Sequence, residues 1–169
     1  MNIFVLSKDP MAAAMMLCDK HISKMVVESA QMLSTAHRIA DGDVHPDLYK
    51  ITHKNHPCTR WVMESKQNYK WLYYHFYGIS KEFEFRRKKQ HLTFVKLGNI
   101  LANEPKNIPD GPRTEFVQAF KAYPECMIEG DAVQSYRNYY HMKSFAKWEW
   151  GREAPYWWKG HKNADIHAA

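Results

Sequence analysis

The sequence predicts an all-α fold: a single compact helical domain over residues 1–169 with a short extended segment at its N-terminus. Three observations predict it. Ile22, Met25, Val26, Leu33 and Ala36 recur at helical spacing and form one apolar stripe. Pro10 and Pro57 stand where helices begin, behind Asp9 and His56, and proline suits the first helical position. Strand-like pattern is confined to Asn2–Leu6, NIFVL, which reads as a lone strand or an extended arm. The length of 169 residues fits one domain and suffices to bury a core without disulfides or metals.

The elements follow in order. Helical residues run from Pro10 to about Ala40 with a break near Cys18–Lys20, and Asp41-Gly42-Asp43 stops them. Residues 41–56 form a polar loop around Pro46. From Asn55-His56-Pro57 a long helix carries Trp61, Met63, Tyr69, Leu72, Tyr73 and Phe76 to about Tyr77 and continues through Glu82–Lys89. His91–Ala102 is a further helix. Residues 103–130 hold four of the eight prolines, so they read as loop with a short helix at Thr114–Ala122. Asp131-Ala132-Val133-Gln134 resembles a capping box with Asp in place of Ser or Thr, and opens a helix to about Phe145. Residues 147–162, KWEWGREAPYWWKGHK, have no clear period, and the last few residues read as a frayed end.

Composition narrows the function. The formal charge of +6 favours a polyanion such as nucleic acid, through neutralisation of phosphates. Aromatics make up 14% of the chain, more than a core of this size needs, so some are expected to line a groove or stacking surface. Three widely spaced cysteines, Cys18, Cys58 and Cys126, fit reduced thiols better than a disulfide frame. No apolar run reaches the ~18–20 residues that a membrane span requires, and no signal pattern opens the chain. The expectation is a soluble monomer of the cytoplasm, with no membrane partner.

Four stretches carry candidate chemistry. In Cys18–Leu33, CDKHISKMVVESAQML, the residues His21, Lys24 and Glu28 share one helix edge, with Asp19 and Lys20 at its N-terminal end. An acid, an imidazole and amines on one edge suit proton transfer or phosphate contact; a Lys24–Glu28 pair on a solvated face beside a half-buried histidine is the competing reading. In Thr52–Trp61, THKNHPCTRW, His56 sits at a helix start, where outward N–H groups favour anions, and Arg60 follows one turn later. His53, His56 and Cys58 alone supply only three clustered ligands, so no metal is expected, and no cofactor either. In Phe83–His91, FEFRRKKQH, the run Arg86-Arg87-Lys88-Lys89 can track a phosphate backbone or form a solvated helix end. In Ser135–Trp150, Tyr136, Tyr139, Tyr140, Trp148 and Trp150 interleave with Arg137, Lys143 and Lys147, a pattern that suits stacking on bases with phosphate contact, or core packing.

Taken together, NIFVL, KDP, CDKHISKMVVESAQMLSTAHR, NHPCTRW, YRNYY and PYWW resemble a group of small phage-encoded proteins, themselves similar to the pyrimidine-dimer DNA glycosylases of the endonuclease V type. His21-Ile22-Ser23-Lys24-Met25-Val26-Val27-Glu28 stands where that family carries a basic helix ending in Glu, with His21 and Val26 in place of two of its arginines. Asn55-His56-Pro57 with Trp61 matches its Asn-His-Pro and Trp, whereas residues 90–130 match poorly. The resemblance implies an all-α enzyme that processes damaged or modified bases in double-stranded DNA, flipping the nucleotide out of the duplex. It implies attack on the sugar C1′ by the N-terminal α-amine with help from a carboxylate, then a Schiff base and strand cleavage by β-elimination. An α-amine titrates near 7.7–8.0, so about a tenth or somewhat more is neutral at pH 7.

On that basis the expected catalytic residues are Met1, Asp19, His21, Glu28 and His56, with Asp19, His21 or Glu28 falling nearest the position of the family's catalytic carboxylate, depending on the gap. Asn2, Lys20, Lys24, Asn55, Arg60, Arg86, Arg87, Arg137 and Lys143 are expected to contact DNA. Asn2 is also too large for ordinary removal of the initiating methionine, so the amine is expected to be that of Met1. The rival readings are a non-catalytic phage module that binds nucleic acid or a host protein, and a base-modifying transferase on the same fold.

Overall fold

The structure, a computed structural model, describes residues 1–162. Six α-helices carry it: α1 Pro10–Met16, α2 Asp19–Asp41, α3 Pro57–Glu64, α4 Lys66–Arg87, α5 Leu92–Leu101 and α6 Ala132–His141, with one 3₁₀ turn at Pro124–Cys126. No strand occurs among the described residues, so the fold is all-α. NIFVL is an arm and not a strand. Its residues Ile3, Phe4, Val5 and Leu6 are buried in the same core as Ile22, Met25, Val26, Leu33 and Ala36 of α2.

The break between α1 and α2 has a tertiary cause. The N–H of Cys18 donates to the Tyr140 hydroxyl at 2.8 Å and the N–H of Asp19 to the Lys147 carbonyl at 2.9 Å. Both groups are unsatisfied donors at a helix start, and distant parts of the chain satisfy them. Helix α1 lies close against α4 because Gly78 has no side chain: a Cβ there would meet the Cβ of Ala14 at 2.9 Å.

Three boundaries differ from the sequence reading. The long helix expected from Pro57 is two helices, since Ser65 is extended at φ −156° and ψ 157°. Its hydroxyl accepts from the Asn68 N–H and donates to the Pro112 carbonyl, which makes it the cap of α4. Thr114–Ala122 is not helical. Its carbonyls are taken from outside: Trp61 Nε1 donates to Glu115, the Tyr136 hydroxyl to Val117 and Asn2 Nδ2 to Ala119. A segment that receives bonds from three partners has no helical ladder to gain by coiling. Helix α6 ends at His141, short of Phe145, although the Asp131 side chain caps it as expected by accepting from the Gln134 N–H. The part of the expected frayed end that falls on 163–169 lies outside the described residues.

Residues 147–152 lash the C-terminal segment to the start of α2. Asp19 accepts from the Glu149 N–H at 2.6 Å and pairs with Arg86 at 3.1 Å. Arg86 also pairs with Glu82 at 3.1 Å and donates to the carbonyls of Leu17 and Met15. Glu82 in turn holds Arg152 at 2.8 Å. Every charge in this buried network has a partner, as burial demands.

Candidate functional site

The burial of NIFVL sets the position of the chain's first residue. Asn2 is buried; its Oδ1 accepts from the N–H groups of Ile3 and Phe4, and its Nδ2 reaches the Ala119 carbonyl. The side chain of Met1 is 2% exposed, and the Thr59 hydroxyl of α3 donates to its sulfur at 3.7 Å. Pinned on both sides, the α-ammonium lies 3.8 Å from Oε2 of Glu28. Lys24, one turn earlier on α2, pairs with the other oxygen of Glu28 at 3.2 Å. Glu28 is therefore a largely buried carboxylate held between two amines.

His56 closes this cluster. It caps α3, its Nδ1 accepting from the Cys58 N–H at 3.1 Å, so the neutral ring carries its proton on Nε2. Its pKa is lowered, first by burial and then by the positive charges of the Met1 amine and His53, with Glu28 acting in the opposite sense. A half-buried neutral imidazole beside an α-amine and a carboxylate can orient a substrate or pass a proton. Arg60 and Asn55 are exposed on the same corner.

His21 occupies a different environment. It is 3% exposed, its ring stacks on Phe4 at 4.4 Å, and its Nδ1 meets the Tyr140 hydroxyl at 2.8 Å. That hydroxyl also accepts from the Cys18 N–H, which leaves its own proton free to be donated to His21 Nδ1. Burial, and then the charges of Lys143, Lys24 and Lys20, push the histidine down to about 3. His21 is thus a neutral hydrogen-bonded ring at neutral pH, in no position to serve as an imidazolium acid. Phe4 reaches it through a strained backbone, with φ at +44°, a conformation in which bulky residues are rare. The sequence offered no signal for Phe4 or Thr59 beyond polarity; both matter through what they touch.

The expected site residues separate into three groups. Met1, Lys24, Glu28 and His56 converge, with Lys20 further along the α2 edge, exposed and 4.5 Å over the Phe145 ring. Lys143 flanks the same edge, its ammonium 4.0 Å from the Tyr139 ring centre. Asp19, Arg86 and Asn2 belong elsewhere. Asp19 and Arg86 neutralise one another in the network beneath the C-terminal segment, and Asn2 ties down the arm, so none presents its side chain to solvent. Arg87 is exposed but stacks 4.4 Å over Trp150, and Arg137 donates to the Leu6 carbonyl and the Tyr156 hydroxyl. Among the described residues no group of His, Cys, Asp and Glu could hold a metal ion.

Residues 1–95, from the arm through the start of α5, match the family model of the pyrimidine dimer DNA glycosylases. The chain belongs to that family. The matched region contains Met1, Lys20, Lys24, Glu28, His56 and Arg60 and stops short of Lys143 and α6. No curated protein and no solved structure matches the chain. The family carries a DNA glycosylase-type function, with DNA as the substrate. No described helix is long and apolar enough to cross a membrane.

Proposed function

We propose that this chain excises a damaged or modified base from double-stranded DNA, acting as a monomer with the α-amine of Met1 as nucleophile and Glu28 as its carboxylate partner. The observation that carries this reading is the 3.8 Å separation of the Met1 amine and Glu28 Oε2 on a helix edge that also bears Lys20 and Lys24. Lys20, Lys24 and Arg60 supply phosphate contacts at the rim, and their attraction offsets the few kcal/mol that extruding a nucleotide costs, of order ~3.

The neutral amine attacks C1′ and the base departs with the electrons of the glycosidic bond. Glu28 stabilises positive charge on the sugar as that bond breaks, and receives the proton that the attacking nitrogen sheds. His56, neutral and donating through Nε2, orients the extruded nucleotide. The nitrogen lone pair then expels O4′, which takes the proton held by Glu28, and leaves a protonated imine on the α-amine. Glu28 removes the C2′ proton, the electrons form the C2′–C3′ double bond as the 3′ phosphate leaves, and hydrolysis of the imine frees the enzyme.

The test is base release from a duplex carrying a pyrimidine dimer or a modified base, measured for the unaltered chain and for Glu28→Gln. The carboxamide keeps the shape and removes the charge, and release should fall by roughly 10²–10⁴-fold while duplex binding persists. Equal rates for both proteins overturn the role of Glu28, and no release from any such duplex overturns the reading.

A further inference from the structure

Among the lysines near this edge, Lys20, Lys24 and Lys147 are exposed and Lys143 is half-buried. Lys24 pairs with Glu28, and Lys147 with Glu149. The ammonium of Lys143 has no hydrogen-bond or ion-pair partner among the described residues. It sits instead among three rings, 4.0 Å from the centre of Tyr139, 5.2 Å from Phe4 and 5.8 Å from Phe145. Two tight turns fix its backbone: its N–H donates to the Tyr140 carbonyl and its carbonyl accepts from the Ala146 N–H. Phe4 is itself stacked on His21, and Lys20 shares the Phe145 ring. The half-buried amine therefore lies at the Lys20 end of the edge that carries Glu28.

We propose that Lys143 is a second amine nucleophile, one that forms a Schiff base with the open-chain aldehyde of an abasic site. This rests on the reading that the α2 edge faces an opened nucleotide. The aromatic faces attract a cation but also strip it of water, and here the loss of water prevails. Burial brings the amine down to about 8, against an opposing effect of Cys18 and with a smaller lowering from the charge of Lys24. At pH 7 about a tenth of such an amine is neutral, roughly 200-fold more than for an ordinary lysine. Desolvation in an apolar pocket is a recognised way to make a lysine nucleophilic.

The chemistry is self-contained. The neutral amine adds to the C1′ carbonyl carbon, and the carbinolamine loses water to give a protonated imine. Water removes the C2′ proton, the electrons form the C2′–C3′ double bond, and the 3′ phosphate leaves. Hydrolysis of the imine restores the lysine. The substrate is a pre-existing abasic site, so this route needs neither base excision nor a free α-amine.

The experiment traps the full chain on an abasic duplex with borohydride and locates the adduct by peptide mass, for the unaltered protein, the N-terminally acetylated protein and Lys143→Arg. An adduct on the peptide that contains residue 143, retained after acetylation and absent from Lys143→Arg, is the expected result. An adduct confined to the N-terminal residue overturns the lysine's role and leaves the glycosylase reading intact. A second arm uses no DNA: reductive methylation with formaldehyde and cyanoborohydride at pH 7. Lys143 should be labelled at least roughly tenfold faster than the exposed Lys20 and Lys89, the excess of neutral amine outweighing its partial burial. Labelling no faster than theirs overturns the proposal even if the chain proves to process no DNA at all.

Discussion

Lowering the pH from 7 to 4 tests the environment assigned to His21. The buried ring titrates near about 3, whereas in the unfolded chain it returns to about 6.5. Because the folded value is the lower one, the unfolded chain binds the extra proton between these limits. The contribution to stability is therefore complete above about 6.5 and declines as pH falls towards 3. At about 1.4 kcal/mol per pH unit, over the roughly 2.5 units between 6.5 and 4, this histidine alone accounts for a loss of about 3 kcal/mol. His75, fully enclosed and hydrogen-bonded to the Pro10 carbonyl, titrates near about 4 and adds a slope of the same sign. The assay is urea unfolding at both pH values, followed by tryptophan fluorescence, for the unaltered chain and His21→Phe. Phenylalanine keeps the stacking on Phe4 and deletes the titration. The variant is less stable at pH 7 because the Tyr140 hydroxyl loses its acceptor, at a cost of about 1–3 kcal/mol. Its decline on acidification should be shallower by about 3 kcal/mol. Identical declines, or a His21 ring signal that titrates near 6.5 in NMR, refute the reasoning.

Two further predictions concern the fold and DNA binding. Arg86→Met leaves Asp19 and Glu82 buried without their shared partner, and should destabilise the chain by about 3–5 kcal/mol in urea unfolding; a change below about 1 kcal/mol contradicts the network as described. Lys20→Ala and Arg60→Ala should each weaken duplex binding and lower the slope of log affinity against log salt by about 1, whereas Arg86→Lys should leave that slope alone.

The all-α class was legible because α2 carries its stripe in sequence, and the start of α3 was legible because His56 and Pro57 are adjacent. The edge from Lys20 to Glu28 was legible for the same reason: residues three and four apart on a helix must share a face. Partners distant in sequence were not legible. Asp19 and Arg86 looked like an acid and a phosphate-binding cation because each was read without the other, 67 residues away. Thr114–Ala122 has the composition of a short helix, but bonds from Asn2, Trp61 and Tyr136 hold it out of a helix. The break at Ser65 was present in the sequence as a serine that could cap, and the aromatic density around it masked the signal. Lys143 is one cation among several in the sequence; its distinction lies in its partial burial among three rings, which spacing cannot show.

The most direct measurement of the central claim is the rate of base release by the chain with its α-amine acetylated, compared with the untreated chain on the same lesion-bearing duplex. Acetylation removes the lone pair at Met1 and leaves Glu28, Lys24 and His56 in place. A fall of at least roughly 100-fold, with duplex binding retained, is the predicted result. Release at the original rate contradicts the claim that the amine beside Glu28 performs the attack.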